Sequence, residues 1–281
     1  MRIGLNWRPP HRSPEDWAEI LSEMGFRAAS LPVDGTADPE LIQSYVEAAA
    51  AHDIMLAEVG IWAHVHSRDP EEREAARQKS FRQLALADRL GIPCCVNISG
   101  ADGPVWCGCY AANYSPELYR ENIRWIRELI DTVRPTRTWY TVEPMQWMVP
   151  DSPQSYRKLI EDVDRDRFAV HLDMINFVNN PYRYTHMEEL MDECIDLLGP
   201  QIRSIHLKDC LQTERLTVAY KEVTVGTGAA PVRYFLEKIA ELEKKTGREL
   251  PVLLEHLNDM DKFKASMNYL QEAAGDLIGK E

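Results

Sequence analysis

Long apolar runs are missing from this 281-residue chain, and no stretch approaches the ~20 apolar residues that a membrane helix requires. A membrane partner is therefore not expected. The N-terminal stretch MRIGLNWRPPHRSP also lacks an apolar run long enough for a signal peptide and reads as a strand at once. Cysteine is sparse: six residues, at 94, 95, 107, 109, 194 and 210, show no framework spacing. With no signal segment, they point to a reducing, cytoplasmic setting. Cys107-Gly-Cys109 has no second CxC or CxxC to complete a thiolate metal site, and reads as part of a loop. Positive charge is in deficit, with 32 Lys and Arg against 45 Asp and Glu and a net charge of −13. That balance opposes phosphate-backbone binding, so nucleic acid is not an expected partner. A glycine-rich phosphate turn is missing after the first strand, where the chain reads Asn6-Trp7-Arg8-Pro9-Pro10. This argues against a doubly wound dinucleotide fold.

What is present is an ordinary globular composition, 44% apolar and 27% charged, long enough for one large core over a single domain, 1–281. Eight β-rich runs recur, at 2–6, 28–32, 54–59, 94–98, 138–143, 168–173, 202–207 and 252–255, each followed by a helical pattern. After the first, Trp17, Ile20, Leu21 and Met24 form an apolar stripe, and Gly25 supplies a C-cap. Ser13-Pro14, Asp38-Pro39, Asp69-Pro70, Ser115-Pro116 and Ser152-Pro153 each set a capping oxygen before a proline at the first helical position. Runs such as FAVHLD and VLLEHL suit a parallel sheet buried on both faces. The predicted fold is an α/β (β/α)8 TIM barrel.

Loop lengths give the barrel a direction. Helix-to-strand links are short, whereas the strand-to-helix loops 60–68, 99–114, 174–185 and 208–228 are long and aromatic. Such loops build the active sites of barrels. Glu143, Asp173, His206 and Glu255 stand at or near the ends of four consecutive strands. Neighbouring strands lie ~4.8 Å apart, so the four tips converge at the mouth. Three carboxylates in a partly desolvated cup repel one another unless a cation joins them. Three hard oxygens and one imidazole select one divalent ion, Mn²⁺ or Mg²⁺ first, with Co²⁺ or Fe²⁺ as further candidates. Open positions on such an ion suit an α-hydroxy-carbonyl compound and would stabilise its enediolate, with Glu143 and Glu255 placed to move the proton.

The strand ends read T-V-E-P at 141–144, H-L-D-M-I-N at 171–176, I-H-L-K-D at 205–209 and L-L-E-H at 253–256. On these motifs, in this order, the chain resembles the xylose isomerase-like TIM-barrel superfamily. The resemblance is to the sugar phosphate isomerase/epimerase branch, which includes ketose 3-epimerases and inosose dehydratases. It implies that Glu143, Asp173, His206 and Glu255 hold one metal, with Glu143 and Glu255 the catalytic acid and base of a sugar isomerase or epimerase. The alternative is a lyase on the same site, an inosose-type dehydratase or a 3-oxo-C-glycoside deglycosidase subunit. Asn176 stands where ketose 3-epimerases carry a histidine, and positions 210–214 hold no arginine, so a strict ketose 3-epimerase is not implied. No second ligand cluster of the xylose isomerase kind is visible, and the acidic charge speaks against the endonuclease IV branch.

The implied partner is a small-molecule sugar or derivative, and a homo-oligomer fits the aromatic loops. Candidate substrate contacts are Lys208, Trp62, His64, Asn176 and Trp106. His171, one layer below Asp173, reads either as a residue that orients a metal ligand or as a core histidine. His66 shares the loop of His64, and His256 is expected to point away from the cup. Gly226-Thr227-Gly228 resembles the phosphate-binding corner of many barrels, although a tight turn explains it as well.

Overall fold

A computed structural model describes residues 1–278, so positions 279–281 of the expected 1–281 domain lie outside the described residues. Ten strands and nine α-helices lie within the described residues, alternating except where α7 follows α6 and where β8 and β9 follow β7. The chain runs β1 (Arg2–Leu5), α1 (Pro14–Glu23), β2 (Ala28–Ser30), α2 (Pro39–Ala51), β3 (Met55–Gly60), α3 (Pro70–Leu90) and β4 (Cys94–Ile98). It continues through α4 (Pro116–Val133), β5 (Trp139–Glu143), α5 (Pro153–Val163), β6 (Phe168–Asp173), α6 (Pro181–Thr185), α7 (Met187–Leu198) and β7 (Ile202–Leu207). Last come β8 (Asp209–Gln212), β9 (Tyr220–Val223), α8 (Val232–Thr246), β10 (Pro251–Leu254) and α9 (Met260–Ala274).

Eight of these strands close into a parallel barrel in the order β1-β10-β7-β6-β5-β4-β3-β2, the (β/α)8 TIM barrel expected from the alternation. Each of the five Ser/Asp-Pro pairs caps its helix. Ser13, Asp38, Asp69, Ser115 and Ser152 accept backbone N–H groups of the first turn, and the proline sits where its missing N–H costs nothing. Asn180 repeats the device ahead of the short α6, which periodicity did not show. Gly25, at φ +81°, ends α1 in the left-handed conformation predicted for it. The helices bury one face on the sheet: Trp17 and Leu21 of α1, Trp125 and Leu129 of α4, and Phe235 and Ile239 of α8 are all fully enclosed.

The loop expected over 208–228 instead folds partly into an antiparallel hairpin, β8 paired with β9. Its strands, DCLQ and YKEV, are short and mixed in polarity and run from a buried base, so no period-2 apolar pattern announces it. The carboxylate of Asp209 organises the base of this hairpin. It accepts the backbone N–H groups of Cys210 (2.8 Å), Gly226 (3.0 Å), Gly228 (2.8 Å) and Ala230 (2.9 Å). The N–H groups read as a phosphate corner thus already hold an anion, the chain's own side chain. Phosphate has no place there, and the Gly226–Gly228 turn is structural. Gly228 is required, because a Cβ would lie 2.0 Å from Asp209 Oδ1.

The barrel interior is layered. Ala28, Ala57 and Leu253 pack together as a small apolar cluster. In β6 and β7, His171 and Ser204 are register partners, and Asp173 and His206 are the next inward pair towards the strand ends. A polar layer therefore lies beneath a ligand layer at the C-terminal mouth.

Candidate metal centre and active site

The strands deliver the four expected side chains to one point. One ligand atom from each of Glu143, Asp173, His206 and Glu255 lies within 4.8 Å of the others, and all four residues are buried. His206 Nδ1 faces Glu255 Oε2 at 3.1 Å and Glu143 Oε1 at 3.2 Å. The Lys208 ammonium sits among the carboxylates, 2.6 Å from Glu255 Oε2, 2.9 Å from Asp173 Oδ2 and 3.8 Å from Glu143 Oε1. Glu222 Oε1 at 3.5 Å and the Asn176 amide oxygen at 3.4 Å complete its partners, and the neighbouring Asp209 is not among them. Even so, Asp173 Oδ2 and Glu255 Oε2 remain buried without an aligned hydrogen-bond donor. Three buried carboxylates that converge with an imidazole nitrogen are a donor set that fits a hard divalent cation.

Electrostatics divides the carboxylates. Burial opposes charge on all of them. At Glu255 the His206 and Lys208 charges outweigh burial and hold the carboxyl well below its ordinary range. Glu143 is lowered too, against burial and the Glu255 charge, by the same two cations. Asp173 goes the other way: burial pushes it up to about 6, with Lys208 opposing and Glu143 and Glu255 adding. Burial favours the neutral ring of His206, yet Glu255, Glu58 and Glu143 together raise its pKa well above the usual value.

Neighbouring amides orient the glutamates. Asn6, just beyond β1, donates to Glu255 Oε1 at 2.7 Å, and Asn176 donates to Glu143 Oε1 at 3.2 Å. Asn6 escaped the sequence reading, although its place at the end of an inward-facing strand was a usable signal. Above the cup opens a cavity of about 640 Å³. Lys208, Asn176, Trp62 and Trp106, four of the expected substrate contacts, line it together with Trp147 and Glu222. Trp62 is held at φ +45°, and its ring fits because residue 60 is glycine: a Cβ there would lie 2.1 Å from Trp62 Nε1. A bulky residue seldom adopts that conformation.

His64 does not join them. Its ring turns behind the cavity wall, with Nε2 2.8 Å from the Ala101 carbonyl, and it is buried against the loop after β4. His66 likewise turns inward and pairs with Asn122 at 2.7 Å. His256 corrects the expectation in the other direction. Its φ of +58° breaks the strand alternation after Glu255, and the ring reaches the cavity rim, 2.8 Å from Glu222 Oε2.

A second group of ligand-type residues also exists, contrary to the sequence reading: Glu58, His171 and His206. Glu58, on β3, was not singled out. Its Oε1 accepts from His171 Nε2 (2.9 Å) and from the Ser204 hydroxyl, and its Oε2 accepts from His206 Nε2 (3.2 Å) and Ser30 Oγ (3.2 Å). The signal available was a single charge inside the apolar strand MLAEVG, which can be buried only with partners. Burial alone would raise the Glu58 pKa, but the His206 and His171 imidazoles hold it far below the ordinary range. His171 therefore contacts Glu58 and the ring of His206, and is not one of the four residues of the cup.

A closed parallel barrel with an acidic and imidazole cup at its C-terminal mouth defines the class: a TIM barrel whose mouth carries a candidate metal site. The family model of the xylose isomerase-like TIM barrel matches residues 18–273, and the chain belongs to that family. A comparison with curated proteins finds no match. Solved structures share the fold at low identity. One is a xylose isomerase-like TIM barrel protein from Mycobacterium smegmatis in complex with magnesium, at 17% identity and TM-score 0.69, covering 99% of this chain and 98% of that one. Another is D-psicose 3-epimerase with D-tagatose from Clostridium cellulolyticum H10, at 14% and 0.70, covering 99% and 100%. A third is a probable 3-DHS dehydratase from Bacillus anthracis, at 17% and 0.71, covering 96% and 99%. Among the described residues no helix is long and apolar enough to cross a membrane.

Proposed function

We propose that this protein is a divalent-metal-dependent sugar isomerase or epimerase that removes a proton beside a carbonyl and proceeds through an enediolate. The observation that carries the reading is the convergence of Glu143, Asp173, His206 and Glu255 from four neighbouring strands. A divalent cation held there supplies a Lewis acid for the carbonyl and hydroxyl oxygens of a substrate. Mn²⁺ suits the donor set, and the magnesium of the Mycobacterium smegmatis neighbour keeps Mg²⁺ beside it. Co²⁺ and Fe²⁺ fit the same donors.

Glu143 and Glu255 flank the cup from strands separated by two others. One takes the proton from the carbon between the two oxygens, and the other returns a proton to the opposite face. Asn176 and Asn6 each hold one oxygen of these carboxylates and so orient them, and Lys208 meets the other oxygen of Glu255. Lys208 places a positive charge where the enediolate becomes negative. Trp62 and Trp106 offer flat surfaces to the C–H face of a sugar. The exposed Tyr114 and Tyr182 on the neighbouring loops suit contact with a second copy of the chain.

One observation favours a second reading, a lyase on the same site. Trp62, Trp106, Trp147, Ile98, Met145 and Ile175 make much of the cavity wall apolar, more than the hydroxyls of a free sugar can use. Such a wall suits a leaving group beside the ketone, and the dehydratase neighbour performs an elimination by its name.

The test is proton NMR in D₂O of the Mg²⁺-loaded protein with free ketoses, ketose phosphates, inososes and 3-keto-glycosides. Deuterium entering at one carbon beside the carbonyl is the expected result. Glu143→Gln and Glu255→Gln should each slow that exchange at least ~100-fold, the lower range for a positioned acid or base. An epimer among the products favours the first reading, an eliminated fragment the second. Metal-loaded protein that exchanges no proton in any compound overturns both.

A further inference from the structure

The Glu58 network carries an inference of its own, which rests on the metal reading above. Glu58 is 1% exposed and lies in the polar layer under the cup. An ionised carboxylate has about four acceptor sites and no proton to give. Four donors reach it from three strands: Ser30 of β2, His171 of β6, and Ser204 and His206 of β7. Two consequences follow. The carboxylate is saturated, so it has no lone pair left for a cation, even though Glu58, His171 and His206 lie close enough to hold one. And because Glu58 can only accept, the nitrogen of His206 facing it must be the one that carries hydrogen.

We propose that Glu58 is a positioning residue that fixes His206 with Nε2–H turned down to the carboxylate and Nδ1 turned up to the cup. His206 Nδ1 is the nitrogen that faces Glu143 and Glu255, at 3.2 and 3.1 Å. His171 supports the same arrangement from the side. It shares the Glu58 carboxylate, and its ring meets that of His206 edge to face, with centroids 4.1 Å apart and planes at 84°. A histidine ligand whose far N–H is held by a carboxylate keeps one tautomer and one ring plane, and it binds metal more tightly for it. Ser30 and Ser204 in turn hold the carboxylate, so the ring is anchored through a chain of contacts that crosses the barrel.

Two measurements test this. Mn²⁺ titration followed by electron paramagnetic resonance gives stoichiometry and affinity for the wild type and for the isosteric Glu58→Gln. One Mn²⁺ per chain in both, bound about 10–100-fold more weakly by the variant, is expected. A merely structural role would lower the melting temperature of the chelator-treated variant and leave the affinity of its folded fraction unchanged. The second measurement needs no variant. Nitrogen-15 NMR of histidine-labelled, Mg²⁺-loaded wild type should show His206 with a proton on Nε2 and none on Nδ1.

Unchanged Mn²⁺ affinity in folded Glu58→Gln, or a proton on Nδ1 of the loaded protein, overturns the proposal. So does a second Mn²⁺ in the wild type that Glu58→Gln abolishes, which would make Glu58 a ligand. If the wild type binds no Mn²⁺ or Mg²⁺ at all, the metal reading fails and takes this proposal with it. Binding that Glu58→Gln leaves untouched removes the proposal alone.

Discussion

His66 stands in the aromatic loop after β3, within sight of the cup in sequence, yet its ring turns away to Asn122. Burial is the main cause that drops its pKa from 6.5 to about 4, and the nearby Arg77 charge adds to the effect. The unfolded chain therefore takes up a proton near pH 6.5, whereas the folded chain waits until about 4. Between those values unfolding absorbs one proton, so stability falls as the pH falls. The total from this residue is about 3 kcal/mol. Urea unfolding from pH 7.5 to 4 should fall less steeply in His66→Gln, which keeps a donor for Asn122, than in the wild type, by close to one proton. Parallel curves would show that His66 does not titrate as described. At the same scale Glu58 and Asn6 mark what single residues hide. Each is one polar side chain in or beside an apolar strand, and only the closed barrel reveals that its partners come from strands far away in sequence.

Among the elements, the five Ser/Asp-Pro helix starts were legible because capping is local: oxygen, proline and first turn lie within four residues. The strands that carry Glu143, Asp173, His206 and Glu255 at or next to their ends were legible because parallel strands buried on both faces read as apolar runs, against which a polar residue near the end stands out. The hairpin of β8 and β9 was not legible, since two short strands of mixed polarity carry no such contrast. What holds it is the Asp209 carboxylate in its ring of backbone N–H groups. Asp209→Asn exchanges one accepting oxygen for a donor that faces those groups, and a cost of about 2 kcal/mol in urea unfolding is expected. Gly228→Ala disturbs the same contact, so the double variant should lose clearly less than the sum of the two. Full additivity would mean that the two residues stabilise different things. Because β9 carries Tyr220 and Glu222 into the cavity wall, both variants should also weaken substrate binding.

The whole molecule is a barrel whose inside changes character with height, from small apolar residues, through the Glu58 layer, to the acidic cup. Alternation of strand and helix made the architecture readable, and the order of the strand-end motifs made the cup readable. The directions of His64, His66 and His256 were not, because backbone turns at the strand ends, as at His256 with φ +58°, cancel the alternation rule that would have aimed them. The same cup concentrates negative charge around Lys208 and His206. A divalent cation held there would stand where the Lys208 ammonium now meets the carboxylates, with His206 Nδ1 as its nitrogen donor. The most direct measurement is therefore the anomalous-scattering crystal structure of the protein grown with Mn²⁺. Expected is one strong peak about 2.0–2.3 Å from oxygens of Glu143, Asp173 and Glu255 and from His206 Nδ1, with the Lys208 ammonium moved off the carboxylates. Full Mn²⁺ loading with no peak at that point, or with a peak only between Glu58, His171 and His206, would contradict the assignment of the cup as the metal centre.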